Sequence, residues 1–242
     1  KNVILHYLLT HSSTNDYLSS EVKDIDAGKY HICLAENQTA GRGRRGKSWI
    51  SPFAKNISVS VGFLLEGGVE VLGGLSLVVG IAVAKTLEDL GVADVSLKWP
   101  NDVFVGEKKI AGILLELSGE ATTNWKVVCG IGLNVHMSDS DKVNIDQAWC
   151  SLDDSVVLKR DVVVAKLLEN LCIVLKKFKV DGFEVFLSEW ARFDMLAGKD
   201  VSVLPGQIQG RVDGVNLQGA LIIKNDKSEH VINAGEVSVR KK

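Results

Sequence analysis

Residues 95–135, VSLKWPNDVFVGEKKIAGILLELSGEATTNWKVVCGIGLNV, carry the strongest evidence for the fold. Apolar runs alternate here with turn residues such as Pro100 and Asn101, the pattern of short strands joined by tight connections. Pro100 ends the first run because proline has no amide hydrogen to donate to a sheet. The pattern predicts four strands, at 95–98, 103–105, 109–117 and 125–135.

The residues before this stretch predict two more strands and two helices. Residues 30–35 are a short apolar strand, and residues 57–63 alternate between apolar and polar or small side chains, as a half-buried strand does. Ser, Thr and Asn at 12–15 are good N-caps, so a helix is expected to begin there. Residues 73–90 predict a helix that is apolar on nearly every face and ends at Gly91 as its C′ residue.

The residues after the stretch predict two helices and then a second domain. The helices fall at 161–178 and about 182–192. From 195 onward, short apolar runs are separated by Gly, Asn and Asp about every ten residues, which is typical of a small β-barrel. We therefore expect an α+β domain at 1–194, with a mixed sheet flanked by helices, and a small barrel at 195–242.

Composition excludes several classes of protein. The chain has 242 residues, 46% of them hydrophobic, and a net charge of −2, so no overall positive field points to nucleic acid. No uncharged apolar segment reaches the roughly 18 residues of a membrane span, and residues 75–84 are interpreted as a core helix. The four cysteines and five histidines are scattered. This spacing favours reduced cysteines in a cytoplasmic protein and argues against a zinc site.

A basic, glycine-rich segment stands out at residues 41–49, GRGRRGKSW, which contains three of the seven arginines. Glycines allow the backbone to approach an anion closely, and arginines donate paired hydrogen bonds to carboxylate or phosphate. The composition favours a small anionic ligand but leaves a solvated loop or a nucleic-acid contact open. The segment also fits the spacing of a P-loop, but its flanks do not predict the strand and helix that a P-loop needs.

Three further motifs combine apolar strands with polar residues. KWPND at 98–102 ends a strand with a carboxamide and a carboxylate, which is also ordinary turn chemistry. KKIAGILLE at 108–116 begins a strand with lysines, and one could extend into a cleft or both could be solvated. GIGLNV at 130–135 is an apolar strand in which Asn134 needs a hydrogen-bond partner.

These motifs, taken in order, resemble those of the biotin protein ligases, and the resemblance covers essentially the whole chain. They are Ser13-Thr14-Asn15, Gln38 with GRGRRG, KWPND, KKIAGILLE and GIGLNV. Each is weak alone, but five in register make chance agreement improbable. The resemblance implies a class II synthetase-like catalytic domain, an SH3-like C-terminal barrel, and an enzyme that forms biotinyl-5′-AMP from biotin and ATP. It also implies Mg²⁺ and a biotin carboxyl carrier domain as the acceptor of biotin.

The resemblance assigns residues to each ligand. Side chains of the first motifs would bind the ureido ring of biotin, and the glycine-rich loop would close over its carboxylate. The biotin-binding residues implied are Ser13, Thr14, Asn15, Gln38, Gly41, Arg42, Gly43, Arg44, Lys109 and Gly112. The ATP-binding residues implied are Arg44, Lys47, Trp49, Asn101, Lys109, Asn134 and Trp149. Lys109, Arg44 and Asp102 would be catalytic, and Asp102 would help to hold Mg²⁺.

Two departures and three alternatives accompany the resemblance. Lys47 stands where many bacterial relatives have arginine, so a phosphate contact there would be looser. The chain also begins almost directly at the catalytic domain, so we expect no DNA binding by these residues. The alternatives are a lipoate–protein ligase, a non-catalytic biotin-binding regulatory protein and a nucleic-acid-binding module. A homodimer is possible, and no membrane partner is expected.

Overall fold

The strands predicted in the central stretch form one half of a sheet. In the computed structural model they are β4 (Val95–Lys98), β5 (Asp102–Val105), β6 (Lys108–Glu120) and β7 (Asn124–Leu133). Each pairs antiparallel with the next one along the chain. The structure describes residues 2–22, 25–120, 124–141, 145, 147–206, 208–226, 228–235 and 238–241.

Three strands from the N-terminal part complete a seven-stranded mixed sheet. They are β1 (Val3–His11), β2 (Tyr30–Gln38) and β3 (Ile57–Glu66), and the strand order is β1-β2-β3-β7-β6-β5-β4. The β1–β2 pair is parallel, and the other neighbours are antiparallel. The predicted mixed sheet is confirmed, although β1 was not predicted.

The sequence interpretation of β3 as half-buried was wrong. Nearly every residue of β3 is buried, on both faces of the sheet. Val59, Val61 and their odd-numbered neighbours pack into the main hydrophobic core, whereas Ser58, Ser60 and Gly62 alternate toward the other face. A Cβ at Gly62 would lie 3.0 Å from Ile25 and 3.4 Å from Leu18, so the N-terminal helical turn covers this second face. The polar residues of β3 are therefore buried beneath another element rather than solvated.

The helices divide between the two faces of the sheet. On the core side, α2 (Leu75–Asp89) contacts α3 (Arg160–Asp181), α4 (Leu187–Phe193) and the strands β4, β5 and β6. On the other side lies the short helix α1 (Thr14–Asp16), which continues into a π-helical turn, Tyr17–Glu21. The second face therefore carries α1 and its π-helical turn, whereas the three longer helices lie on the core side.

Burial on all sides explains the composition of α2. Eleven of its 15 residues are buried, because the helix lies between the sheet and two other helices. It ends as predicted: Gly91 has φ +87°, Val92 N donates to Leu87 O, and Gly91 N donates to Glu88 O, which is a Schellman motif. The segment Val69–Asp89 is long and apolar enough to cross a membrane, but 56% of its most apolar window is buried inside the fold. This burial is typical of a core helix.

A second sheet of five antiparallel strands follows, as the predicted barrel requires. Its order is β11-β10-β9-β8-β12, formed by β8 (Asp200–Leu204), β9 (Ile208–Val215), β10 (Leu221–Asn225), β11 (Ser228–Ile232) and β12 (Ser238–Lys241). It contacts the first sheet where the indole Nε1 of Trp99 donates to Gly219 O over 2.9 Å. The boundary between residues 194 and 195 stays a prediction.

Candidate active site

Small residues form the floor of the candidate pocket on the second face of the sheet. A Cβ at Gly132 would lie 2.3 Å from Cε2 of Trp49, and one at Gly130 would lie 2.3 Å from Oδ1 of Asn15. Gly112 is less restricted, since its Cβ would be 3.3 Å from Trp49 and from Lys109. Glycine at these strand positions lets the polar side chains of α1 and the basic loop lie directly on the sheet.

The predicted biotin-binding residues of α1 and β2 form one hydrogen-bonded network. Ser13 is the N-cap of α1, and its Oγ accepts from Asn15 N over 3.2 Å. Gln38 Oε1 accepts from the backbone N of Thr14 over 2.8 Å and from its Oγ1 over 3.1 Å. Ser13, Thr14 and Asn15 are each 3% exposed. The structure therefore brings these four predicted residues together, with their orientations fixed by one another.

Two buried serines of β3 extend this network and were missed from the sequence. Ser60 Oγ lies within hydrogen-bonding distance of two oxygens, Thr14 Oγ1 at 2.7 Å and Asn15 Oδ1 at 2.6 Å. Ser58 Oγ accepts from Gln38 Nε2 over 3.2 Å. The signal was present, because serine occupies alternate positions of an otherwise apolar strand. It was passed over because that face was taken to be solvent-exposed.

The basic segment folds as a closed loop. Trp49 N donates to Gly41 O over 2.8 Å, and Gly43 N donates to Lys47 O over 2.6 Å. A Cβ at Gly41 would lie 2.5 Å from Trp49 O, so this position requires glycine, whereas Gly43 has ordinary space. Within this loop, Arg44–Gly46 forms a single 3₁₀ turn, and no α-helix begins there. The P-loop match is therefore accidental, as predicted.

The two arginines predicted to bind ligand face different sides of the pocket. Arg42 bonds to Asp16 and, over 2.9 Å, to Glu116. Arg44 donates to Asn101 Oδ1 over 3.0 Å and to the carbonyl of Gly235, which lies between β11 and β12. Burial lowers the pKa of Arg44, with the nearby Asp102 acting in the opposite direction. Lys47 is exposed at the loop surface.

Lys109 projects into the pocket and Lys108 does not. Lys109 Nζ lies 2.7 Å from Asp102 Oδ1, and the two side chains are 15% and 23% exposed. The same Nζ lies 5.7 Å from the ring centroid of Trp49, a cation–π contact. Lys108 is exposed. The predicted catalytic lysine and carboxylate thus form one ion pair, and Arg44 lies near it.

Asn101 joins Arg44 of the basic loop to β6. Its Nδ2 donates to Ile113 O over 2.8 Å, while its Oδ1 accepts from Arg44. Asn134, by contrast, is 5% exposed and bonds to Cys150 O and Asn56, over 3.1 and 3.4 Å. The predicted need of Asn134 for a partner is confirmed. Its side chain anchors a neighbouring loop, so a contact with ATP stays a prediction.

The backbone of Trp149 lies beside the backbone of Lys109. Lys109 N donates to Ala148 O and Cys150 N donates to Lys109 O, each over 3.0 Å. The segment 137–150 therefore approaches the pocket at its C-terminal end. Within it, residues 142–144 and 146 lie outside the described residues. A contact of Trp149 with ATP stays a prediction.

Asp102 fits a magnesium ion that arrives with a nucleotide. Mg²⁺ in such sites takes one or two carboxylates together with substrate phosphates. Across the part of the chain that the structure describes, no group of three or more His, Cys, Asp or Glu could hold a metal by itself. The single carboxylate of Asp102, beside Lys109 and Arg44, matches what Mg²⁺ carried by phosphates takes from a protein.

Comparisons with known proteins identify relatives of the whole chain. Residues 7–134 match the model of the biotin/lipoate A/B protein ligase family, and residues 198–240 match the biotin protein ligase C terminal domain. The bifunctional ligase/repressor BirA of Salmonella typhimurium is 38% identical over 231 residues, which is 94% of this chain and 72% of that protein. The biotin–[acetyl-CoA-carboxylase] ligase of Mycobacterium tuberculosis is 32% identical over 94% of this chain and 85% of its own.

A solved structure matches over the whole length. The biotin protein ligase from Aquifex aeolicus in complex with biotin and ATP has a TM-score of 0.81 and 30% identity, and the match covers 100% of each chain. Both sheets are therefore arranged as in a ligase of known structure.

Proposed function

The chain belongs to the biotin protein ligases, and on that premise we propose that biotin and ATP react in the pocket formed by Arg44, Asp102 and Lys109. The protein is an ATP-dependent biotin ligase that acts through biotinyl-5′-AMP. The observation that carries the site assignment is the Lys109–Asp102 pair, held at 2.7 Å beside Arg44 and above the glycines of the sheet.

Adenylation is the first reaction. A carboxylate oxygen of biotin attacks the α-phosphorus of ATP, the bond to the bridging oxygen breaks, and pyrophosphate leaves. Negative groups must approach one another, so fixed cations lower the barrier most. We assign Lys109 to the biotin carboxylate and the α-phosphate, and Arg44 to the phosphate oxygens. Mg²⁺ bound with ATP would supply further charge neutralisation, and Asp102 would be its protein ligand.

Biotin recognition falls to the polar network. The ureido ring offers two N–H donors and one carbonyl acceptor, which hydroxyl and carboxamide groups can match. Ser13, Thr14, Asn15 and Gln38 supply these groups. The burial of the first three and their hydrogen bonds with Gln38 fix their directions before biotin arrives. Gly41, Arg42, Gly43 and Gly112 are assigned to the carboxylate end of biotin. Asn101, Asn134, Lys47, Trp49 and Trp149 are assigned to ATP.

Transfer is the second reaction. The neutral ε-amine of an acceptor lysine attacks the acyl carbon of the adenylate, AMP leaves with the electron pair of the broken bond, and the nitrogen loses a proton. Family members act on biotin carboxyl carrier proteins, and we propose such a carrier domain as the acceptor. Asp102 is the nearest described carboxylate to Lys109 Nζ, so it is assigned to orient the amine or take its proton.

Specificity for biotin over lipoate is the point that needs the first experiment. The N-terminal family model covers both classes, whereas the C-terminal match is to biotin protein ligases. Pyrophosphate release from Mg·ATP should follow addition of biotin but not of lipoate, and a carrier domain should then be biotinylated. Release with lipoate alone would place the chain with the lipoate ligases. Release with neither would leave a non-catalytic regulatory role.

We also propose a cytoplasmic location and a homodimer. Three of the four free cysteines, Cys33, Cys129 and Cys150, are buried as thiols, which suits a reducing compartment. The outer edge of β1 has a neighbour on one side only. Sedimentation with and without biotin and ATP tests the dimer. Absence of nucleic-acid binding stays a prediction, to be tested by salt-dependent DNA binding.

A further inference from the structure

Glu116 connects α1 with the basic loop, two parts of the pocket that belong to different sequence motifs. It lies on β6, on the same face of the sheet as Gly112, and its side chain is 30% exposed. Its carboxylate accepts from Asn15 Nδ2 over 2.8 Å and from Arg42 Nη2 over 2.9 Å. These partners are 101 and 74 residues away along the chain. One carboxylate thus joins the polar network to the basic loop.

The partner on the pocket side is held rigidly. Asn15 is 3% exposed, its Oδ1 accepts from Ser60 Oγ over 2.6 Å, and its Nδ2 also lies 3.3 Å from Leu114 O. The sheet approaches closely at Gly130, where a Cβ would lie 2.3 Å from Asn15 Oδ1. Because every polar atom of the Asn15 amide is used, its orientation fixes that of the Glu116 carboxylate in turn.

The partner on the loop side is held in more exposed surroundings. Arg42 is flanked by two glycines and its side chain is 43% exposed. Its other carboxylate partner, Asp16, is 38% exposed and extends from α1. Ion pairs this exposed contribute little to folding stability, typically 0–1 kcal/mol. The arrangement is therefore better explained by the direction it gives to Arg42 than by stability.

We propose that Glu116 is a positioning residue for biotin binding. It orients Arg42 of the basic loop and Asn15 of the pocket toward each other, so that biotin meets both in their bound arrangement. The inference rests on the proposed function, because it assumes that these residues contact biotin. Glu116 is assigned no contact with reacting atoms.

The test measures biotin-dependent pyrophosphate release by the full chain. Glu116→Ala should raise the KM for biotin about tenfold, the effect of losing one hydrogen bond to a charged group, with kcat changed less than about threefold. Glu116→Gln keeps an acceptor for Asn15 but loses the charge that pairs with Arg42, so its KM should lie between. Asp16→Asn, which leaves the link between Arg42 and Asn15 intact, should raise the KM less than Glu116→Ala. Glu229→Gln, an exposed carboxylate of the second sheet, should behave as wild type.

A double-mutant cycle separates positioning from a general loss of structure. With Arg42 already changed to Ala, Glu116→Ala should add much less to the KM than it does alone, because the shared interaction is gone. An unchanged KM in Glu116→Ala, or strictly additive effects with Arg42→Ala, would overturn the proposal. If Glu116→Ala does not fold, Glu116→Gln decides in the same way. Failure of the wild-type chain to release pyrophosphate would instead reject the proposed function.

Discussion

The ammonium group of Lys109 lies 2.7 Å from Oδ1 of Asp102, and neither side chain is more than a quarter exposed. Removing one member of a partly buried ion pair destabilises the folded protein, because the other member is left as an uncompensated charge. The pair also holds the lysine at a defined point above Gly112. Lys108 is an exposed lysine next to Lys109 in the chain. Substituting Lys108 removes the same charge outside the pocket, so the chemical role of Lys109 can be tested separately from its charge.

Lys109→Ala should reduce formation of biotinyl-5′-AMP about 100-fold or more, the usual cost of removing one fixed donor to a developing charge. Biotin should still bind, since the polar network of α1 and β2 is untouched. Pyrophosphate release and calorimetric biotin binding measure the two effects. Lys108→Ala is the matched control and should keep full activity. A normal rate of adenylation in Lys109→Ala would remove Lys109 from the mechanism.

Arg44→Ala should release the adenylate into solution before transfer. Arg44 bonds to Asn101 and to Gly235 O, so its removal breaks two hydrogen bonds that hold the basic loop on the side assigned to the phosphates. Free biotinyl-5′-AMP, separated by filtration and quantified, should rise severalfold. Arg45 is exposed on the same turn, and Arg45→Ala provides the control. Adenylate that stays bound in Arg44→Ala as in wild type would count against closure by this loop.

Gly132→Ala should disturb Trp49, whose Cε2 would lie 2.3 Å from the new methyl group. We expect about a tenfold lower kcat/KM for ATP, equivalent to about 1.4 kcal/mol, since overpacking usually costs 1–3 kcal/mol. Gly112→Ala is a graded comparison, because its methyl would be 3.3 Å from Trp49 and Lys109, which can shift. Equal kinetics for both variants and wild type would show that Trp49 does not need its present position.

Asp194→Asn should stabilise the protein at neutral pH. Burial raises the pKa of Asp194, although Leu196 N donates to its Oδ1 over 2.8 Å. The folded state therefore prefers the protonated acid. This contribution is fully present below the ordinary value of 3.8 and is lost as pH rises through the higher folded pKa. Asparagine cannot ionise, so its advantage should be absent at low pH and complete at pH 7, about 1 kcal/mol or roughly 2–4 °C in Tm.

Thermal melts across this pH range measure the effect. Asp213→Asn serves as the control, since Asp213 is 50% exposed in a surface pair with Lys224. Removing that pair should change Tm little at any pH. A Tm for Asp194→Asn below that of wild type at pH 7 would show that the charged form of Asp194 is stabilised in the folded protein.

Local patterns predicted most of the fold. Alternation in β3, the turn at Pro100 and the glycine after α2 are short-range signals, and the structure places a strand, a turn and a helix end there. The strand β1 was missed because its apolar side chains do not alternate between buried and exposed: Leu5 is 59% and Tyr7 62% exposed. Its position depends on parallel pairing with β2, which no nearby residue indicates.

Site residues were predictable where a sequence motif groups several polar or charged side chains. They were not predictable where the fold brings together residues that are distant along the chain. Lys109 and Arg44 stand in motifs. Glu116 was quoted only as the end of a strand, because both of its contacts cross long stretches of chain. From the sequence, Ser60 is interpreted only as a small residue, because its contact with α1 is visible only in the structure. Side chains that act through a distant partner need the topology before they can be recognised.

The hydrogen bond from Arg44 to the carbonyl of Gly235 has a consequence for protein engineering. A chimera that keeps the first sheet and imports the second from another ligase would replace the acceptor of a loop arginine. Because that acceptor is a main-chain oxygen, any amino acid at the position could supply it, provided that the graft follows the same backbone path. Donor domains should therefore be ranked by superposition of this turn and not by percentage identity.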